Sequence, residues 1–361
     1  MKTGKTLTEL AAELTRQQDA KHDYIADTDV LSISPDEGCT KLRIGDQELE
    51  ATDNCHRQIG THVGIPAKYY DRLRNEAPDL LAENVNHWFK ANPAKRLVRT
   101  LDGKARAFLS DRYRCLDNFD LANAILPVIQ ESKAEIVSCD VTERKFYLKA
   151  IIPDIKVEIP PAGKENFVWG EGHTQIDVLQ PGVSVTNSET GFGALAAVPL
   201  SHTVHCSNLA VWSEGQIRRT HLGKAHVDSA DSNISEIFSD ETKKLSDRAL
   251  FAQLGDVVRA SLSGELFDRI VEQIRASRGL IIERPKSEII EIVQEKFALT
   301  DDEGKSVLDH LVEGSAYGLS NAITRAAEDA SCYDRASELE RVGAKIIELP
   351  RNQWQELAVA A

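Results

Sequence analysis

Apolar residues recur at helical spacing at the start of the chain. Between Leu7 and Leu14 they fall three and four residues apart, which predicts an amphipathic helix. Further on, Val30–Ile33 and Lys41–Ile44 each alternate apolar and polar residues around a turn at Pro35–Gly38, and this alternation predicts a short β-hairpin. We therefore expect residues 1–54 to form an N-terminal arm of one helix and one hairpin.

The periodicity becomes helical again after residue 53. Apolar positions over 53–63 and 67–74, separated by a Gly-Ile-Pro turn, predict two helices with a tight connection. One interpretation is a helix-turn-helix unit, in which the second helix enters a DNA groove. The other is a plain helical hairpin that packs Ile59, Val63, Tyr69 and Leu73.

A second hairpin is predicted within residues 97–114. Leu97–Leu101 alternates apolar and polar residues, Asp102 and Gly103 form a favoured two-residue turn, and Lys104–Leu109 returns as the partner strand. Asp-Gly is one of the strongest short-range signals for a tight hairpin. The sequence therefore predicts a two-stranded unit here.

The rest of the chain divides into strands and then helices. Leu116–Gln130 predicts a helix and Glu135–Ile152 predicts two strands. Prolines and glycines crowd residues 153–173, which indicates a long loop, and residues 175–212 are rich in Val, Thr, Ser and Gly, as strands are. After about residue 232 the pattern is almost wholly helical.

These patterns predict an α+β fold. We expect an antiparallel sheet with packed helices in the N-terminal two thirds, followed by a mostly helical C-terminal region. The expected divisions are an α+β core at 55–230 and the helical region at 231–361, after the arm at 1–54. A length of 361 residues fits two or three such units.

Composition excludes several classes of protein. No apolar run approaches the roughly 18 residues that a membrane span needs, and the first residues lack the apolar core of a signal peptide. The six cysteines are scattered, which favours reduced thiols over a disulfide framework. We therefore expect a cytoplasmic protein with no membrane partner.

Charge is unevenly distributed. The net charge of −14 argues against a protein that simply coats DNA, because such proteins are usually basic. Residues 55–114, however, hold twelve Lys or Arg against six Asp or Glu, whereas residues 228–361 hold sixteen against twenty-six. A basic block of this kind suggests an anionic partner, although an acidic neighbour in an oligomer would explain it equally well.

The basic block mixes cations with aromatic residues. Guanidinium groups bind phosphate through a two-pronged fork, and exposed aromatic rings stack on unpaired bases. Phe108 or Tyr113 would stack on a base, and the cations predicted to bind phosphate are Lys95, Arg96, Arg99, Lys104, Arg106, Arg112 and Arg114. In the alternative interpretation, Phe108 and Tyr113 are core residues and the arginines pair with the acidic C-terminal helices.

A smaller basic patch lies near the end of the strand-rich part. Arg218, Arg219 and Lys224 would extend the DNA-binding surface. A second cluster combines imidazole and thiol groups, which are good zinc ligands, at His202, His205, Cys206, His221 and His226. Their spacing fits no standard zinc finger, and two histidines three apart in a strand point to opposite faces. We therefore predict no metal site. The sequence leaves open whether these histidines and the cysteine bind a metal ion.

Signatures of enzymes are sparse. The chain has no phosphate-binding loop, no nucleophile elbow and no metalloprotease helix motif. Asp177, Glu189 and Asp228 are candidates for holding Mg²⁺ in a nuclease. Isolated acids in an acidic protein are usually solvent-facing, so we predict no catalytic residues and no cofactor.

Several longer stretches resemble one known family. It occurs in phages, plasmids and integrated elements and is named only as a domain of unknown function. The resemblance covers roughly residues 55–330 and rests on GIPAKYYDRL (64–73), LAENVNHW (81–88), RAFLSDRYR (106–114), LDN (116–118), VTNSETG (185–191), CSN (206–208), RTH (219–221) and LSNAITRAA (319–327). It implies a setting of recombination, single-strand handling and escape from host defence.

The sequence thus favours a DNA-handling protein of a mobile element. The leading hypothesis is an oligomeric protein that binds and anneals single-stranded DNA in recombination, with an element-encoded exonuclease as a further partner. One alternative is an anti-defence protein whose acidic C-terminal region binds a host protein. The other is a metal-dependent nuclease.

Overall fold

The N-terminal third of the chain forms a six-stranded sheet with helices on one face. The structure, a computed structural model, describes residues 2–36, 39–160, 176–204, 208–213, 217–219 and 240–359. The elements of this third are α1 (Leu7–Ala20), β1 (Lys21–Asp27), a 3-10 turn (Thr28–Val30), β2 (Leu31–Asp36), β3 (Cys39–Ile44), β4 (Gln47–Ala51), α2 (Asp53–Val63), α3 (Ala67–Glu76), α4 (Pro78–Ala91), β5 (Lys95–Leu101) and β6 (Lys104–Ser110).

The strand order in this first sheet is β1-β5-β6-β4-β3-β2. All neighbours are antiparallel except β4 and β6, which are parallel. Helices α2, α3 and α4 cover one face, where Leu42, Val98 and Phe108 pack against Ile59 and Val85. The predicted arm at 1–54 thus does not stand apart, because its strands share a sheet with the second hairpin.

The predicted β5–β6 hairpin is present. Asp102 and Gly103 both have positive φ, at 52° and 74°, which is the conformation of the tight turn expected of Asp-Gly. The ladder carries one irregularity between Arg99 and Thr100. This bulge sets the directions of the side chains on the two faces of the hairpin.

The two predicted helices after residue 53 are also present, as α2 and α3. Gly64 ends α2 with a φ of 73°, a left-handed conformation that glycine adopts at little cost. Ile59 and Leu73 are buried as the helical-hairpin interpretation expects, and Val63 is half-buried. Tyr69 is 50% exposed, so the prediction that it packs in the core of the helical hairpin was wrong. Tyr70, the next residue, is buried instead.

His56 on α2 gives a testable pH dependence. Its Nδ1 lies 2.9 Å from the Tyr70 hydroxyl, and burial, with a smaller effect from the charge of Arg74, lowers its pKa from 6.5 to about 4. Between these values the unfolded chain binds more protons than the folded one. The free energy of unfolding should therefore fall as pH drops from 6.5 to about 4, by about 3 kcal/mol in total.

Urea denaturation over this pH window measures the effect. We expect the His56→Gln variant to lose most of this slope, whatever its stability at neutral pH. A His22→Gln variant at an exposed position should keep the slope of the original chain. Equal slopes in all three proteins would show that His56 does not carry the effect.

The middle of the chain forms a second sheet. Its elements are α5 (Asn118–Glu131), β7 (Glu135–Val141), β8 (Phe146–Ile151), β9 (Val157–Ile159), β10 (Asp177–Asn187), β11 (Leu195–Thr203), β12 (Asn208–Val211) and β13 (Ile217–Arg219). The main strand order is β12-β11-β10-β8-β7, with β9 on β10 and β13 on β11. The strands of this sheet pair antiparallel, as predicted.

The C-terminal region is helical, as predicted. It consists of α6 (Asp240–Ser261), α7 (Gly264–Ser277), α8 (Lys286–Phe297), α9 (Asp301–His310), α10 (Ala316–Ala326), α11 (Tyr333–Glu348) and α12 (Arg351–Ala358). Helices α1, α5 and α6 pack on one face of the second sheet, and α7, α10 and α11 pack on residues of the same sheet such as Leu179 and Trp212. The protein is therefore α+β. No helix in the described ranges is long and apolar enough to cross a membrane.

A buried ion pair ties the second sheet to the helical region. Lys149 on β8 lies 2.6 Å from a carboxylate oxygen of Glu340 on α11, and both side chains are at most 1% exposed. The ammonium group also lies 4.8 Å from the centre of the Tyr333 ring. The second carboxylate oxygen of Glu340 is buried without a hydrogen-bond partner.

The first residues of the chain lie against the edge of the second sheet. The Lys5 N–H donates to the Cys139 carbonyl at 2.7 Å, and the Lys2 ammonium donates to the Ala330 carbonyl at 2.6 Å. Gly4 lies between these contacts, where an added Cβ would come within 2.1 Å of the Cys139 oxygen. Only glycine allows so close an approach of the two backbones.

Candidate nucleic-acid interface

Arg99, one of the predicted phosphate ligands, is buried. Its Nε donates to Asp23 at 2.9 Å, one terminal nitrogen donates to Asp117 at 2.7 Å, and the other donates to the Glu189 carbonyl at 3.2 Å. Burial alone would raise the pKa of Asp117, but Arg99 and Lys21 outweigh it and hold that pKa below its usual value. Arg99 therefore has neither exposure nor free charge to offer a phosphate.

Arg106 is also buried and paired. Its guanidinium donates to one carboxylate oxygen of Glu189 at 2.6 Å, and the Asn118 N–H at the start of α5 donates to the other at 2.6 Å. We call Asp23, Arg99, Arg106, Asp117 and Glu189 the polar junction, because they join the first sheet to the end of β10 and the start of α5. Three stretches of the family resemblance, 106–114, 116–118 and 185–191, meet at this junction.

The two aromatic residues predicted to stack on bases do not have open faces. Phe108 is 3% exposed and stacks on Phe89, with ring centres 5.6 Å apart. The Tyr113 hydroxyl donates to the Ser188 carbonyl at 2.6 Å, next to the polar junction. The core interpretation therefore fits Phe108, and Tyr113 acts as a structural hydrogen-bond donor. The predicted stacking role does not fit either residue.

The other cations predicted to bind phosphate differ in their exposure and in their ion pairs. Lys104 lies 2.9 Å from Glu50, and Arg114 donates to Asp247 of α6 at 2.6 Å, so one arginine does pair with the helical region as the alternative expected. Lys95 and Arg112 are exposed and form no ion pair with any described residue. Arg96 is half-buried.

The smaller basic patch is only partly described. Arg218 and Arg219 belong to β13, which pairs with β11. Their side chains and Lys224 lie outside the described residues, as do His205, Cys206, His221, His226 and Asp228. Nδ1 of His202 lies 2.9 Å from the side-chain amide oxygen of Gln180, and burial lowers the pKa of His202.

The acids proposed for a nuclease are far apart. Asp177 opens β10 and accepts from Arg278 at 2.6 Å, whereas Glu189 follows the end of β10 and accepts from Arg106. The strand has eleven residues, which separates its ends by about 33 Å. The two acids therefore cannot share an ion. Within the described ranges no three His, Cys, Asp or Glu side chains form a possible metal cluster.

An exposed aromatic residue on α4, the helix that precedes the hairpin in the chain, was left out of the predicted site. Trp88 in the last turns of α4 is 42% exposed, and the His87 ring meets it edge-on at 5.1 Å. Lys90 follows on the same helix, and a short connection leads to Lys95 on β5. Residues 84–101 contain no Asp or Glu, a signal that the sequence alone offers.

We give the name cationic strip to four exposed residues: Trp88, Lys90, Lys95 and Arg112. Lys95 and Arg112 lie at the same end of the hairpin, because Arg96 pairs with Ser110. Lys90 and Lys95 are exposed and, like Arg112, form no ion pair with any described residue. Asp27, opposite Lys95 in the β1–β5 ladder, borders the strip. Its chemistry is that of a small anion-binding surface with one ring available for stacking.

Comparison of the chain with family models, with curated proteins and with solved structures finds no match. The resemblance to the phage and plasmid family therefore stays a prediction.

Proposed function

We propose that the protein binds single-stranded DNA through the cationic strip. The observations that carry the proposal are the exposed indole of Trp88 and the exposed Lys90 and Lys95, which form no ion pair with a described residue and share with it an acid-free run, residues 84–101. An unpaired base can stack on an exposed aromatic ring, and such stacking is worth about 1–3 kcal/mol per base. Lys90, Lys95 and Arg112 would then bind the phosphates on either side.

The size of the strip limits the affinity of one subunit. Three phosphate contacts give a salt dependence with a slope of about −2 for single strands. Self-association would place several strips side by side, which makes a subunit of net charge −14 compatible with DNA binding. The proposal therefore includes a homo-oligomer, and annealing in a mobile element is the activity that it supports.

Two sets of substitutions test the strip. In Trp88→Ala we expect affinity for a labelled single-stranded oligonucleotide to fall about tenfold, because the stacking surface is lost. In the double variant Lys90→Glu, Lys95→Glu we expect a further loss and a salt slope smaller in magnitude by about 1.4, because two phosphate contacts disappear. Fluorescence polarisation across a salt series measures both quantities.

The matched control reverses two exposed lysines elsewhere. Lys296→Glu, Lys345→Glu changes the net charge by the same amount on α8 and α11, and affinity should stay within about twofold. An equal loss of affinity in this control would show that the effect comes from the overall charge of the protein and not from the cationic strip. If neither single-stranded nor duplex DNA binds at low salt, the proposal fails, and binding of a host protein by the acidic helical region becomes the hypothesis to test.

A further inference from the structure

Arg96 differs from the buried arginines of the hairpin. Its guanidinium lies over the Phe108 ring, 5.6 Å from the ring centre, and a terminal nitrogen contacts Nδ1 of His62. It forms no ion pair with any described carboxylate, and its Nε is buried without a hydrogen-bond partner. A half-buried arginine that forms no ion pair with a described residue, and whose charge Asp111 offsets only in part, can bind an anion.

His62 is the second residue of this candidate site, because its Nδ1 contacts the Arg96 guanidinium. It lies in the last turn of α2, with its ring 5.6 Å from that of Phe108 and 6.1 Å from that of Phe89. Burial, and then the charge of Arg96, lower its pKa. The neutral imidazole therefore accepts a hydrogen bond from Arg96 in the free protein.

The charged groups around His62 are few. Arg96 reaches it from β5, α4 contributes the uncharged Phe89 ring, and β6 contributes the uncharged Phe108 ring. Asp111, just after β6, acts on Arg96 and partly offsets its charge. Lys95 and Arg112, both exposed, lie at the same end of the hairpin. The net charge of this group of residues is positive even with His62 neutral.

We infer that Arg96 and His62 together bind a phosphate group, and that His62 becomes protonated when they do. The fork of Arg96 would hold two phosphate oxygens. Nδ1 of His62 would take a proton from solvent, which ends its hydrogen bond from Arg96, and would donate that proton in a hydrogen bond to the phosphate. The phosphate supplies the counter-charge that the free site lacks. That this phosphate belongs to a DNA backbone rests on the proposed function, whereas a free phosphate or nucleotide has the same chemistry.

The sign of the pH dependence follows from this linkage. Because bound phosphate raises the pKa of His62, affinity should increase as pH is lowered, tenfold for each unit by which the pKa rises. We expect the increase as pH falls from the pKa of His62 in the bound state to its pKa in the free protein, which lies below the ordinary histidine value. In His62→Gln the dependence should flatten, and in Arg96→Lys affinity should fall because the fork and the stacking on Phe108 are lost.

The experiment follows the His62 ring by NMR in the full-length protein, titrated separately with pyrophosphate and with a single-stranded oligonucleotide. His310→Gln, an exposed position on α9, is the control and should retain the pH dependence. A rise of the His62 pKa with both ligands supports the inference. Unchanged His62 signals at saturation with both ligands would overturn it.

The two ligands separate this inference from the proposed function. If pyrophosphate raises the His62 pKa but no oligonucleotide binds, the phosphate site stands and the DNA proposal fails. If the oligonucleotide binds through the cationic strip and neither ligand moves the His62 pKa, DNA binding stands and this site is excluded. Circular dichroism of His62→Gln and Arg96→Lys confirms that each variant is folded.

Discussion

Replacing Arg106 with methionine is expected to lower the free energy of unfolding by about 3–5 kcal/mol. The Glu189 carboxylate has two described hydrogen-bond donors, Arg106 and the Asn118 N–H. The substitution leaves this carboxylate buried with only the second of them. An uncompensated buried charge costs far more than the loss of an exposed pair. Because Arg106 and Glu189 come from different sheets, the variant weakens the connection between them.

Urea denaturation measures this loss, with Arg112→Met as the matched control. Arg112 is exposed and has no ion pair with a described residue, so its replacement should change stability by less than about 0.5 kcal/mol. Equal stability of Arg106→Met and the original chain would contradict the role given to the polar junction. A charge reversal at Arg106 would place two carboxylates together, so it would report on folding rather than on DNA binding.

A second large effect is expected at the Lys149–Glu340 pair. Glu340→Leu alone should cost about 3–5 kcal/mol, because the Lys149 ammonium stays buried with no counter-charge. The double variant Lys149→Met, Glu340→Leu should come within about 1 kcal/mol of the original stability or exceed it. The reason is that one Glu340 oxygen has no hydrogen-bond partner, so the pair is incompletely compensated in the folded protein.

A double-mutant cycle in urea measures the coupling between the two residues. The exposed pair Arg72–Glu76 on α3, 2.9 Å apart, is the control, and its cycle should give no more than about 0.5 kcal/mol. If the double variant at Lys149 and Glu340 is as unstable as Glu340→Leu, the pair contributes packing rather than charge compensation.

The fold class and the hairpin were predictable because their signals are local. Asp102 and Gly103 adopt the two positive φ angles that the turn requires, and the flanking residues pair as strands. The helical region after residue 231 is equally periodic. Such signals depend on residues a few positions apart, so no knowledge of the fold is needed to read them.

The environment of the basic residues was not predictable in the same way. Arg99 and Arg106 are on the hairpin, but their carboxylate partners lie up to 83 positions away, at Asp23, Asp117 and Glu189. Alternation predicts which residues share a face of a strand and does not predict what covers that face. The run without acids at 84–101 was visible, yet the exposure of Trp88 depends on how α4 packs on the sheet.

The contacts of the first residues have a consequence for biosynthesis. Lys2 donates to a carbonyl 328 residues further along the chain. At roughly 5–20 residues per second, a ribosome needs on the order of 15–65 s to make that partner after the N-terminus has been translated. These first residues are thus made long before the carbonyl to which Lys2 donates. Until then the Lys2 contact is missing, so a nascent chain stalled before Ala330 would hold its first residues on the edge of β7 with fewer contacts and leave that edge more open to neighbouring chains.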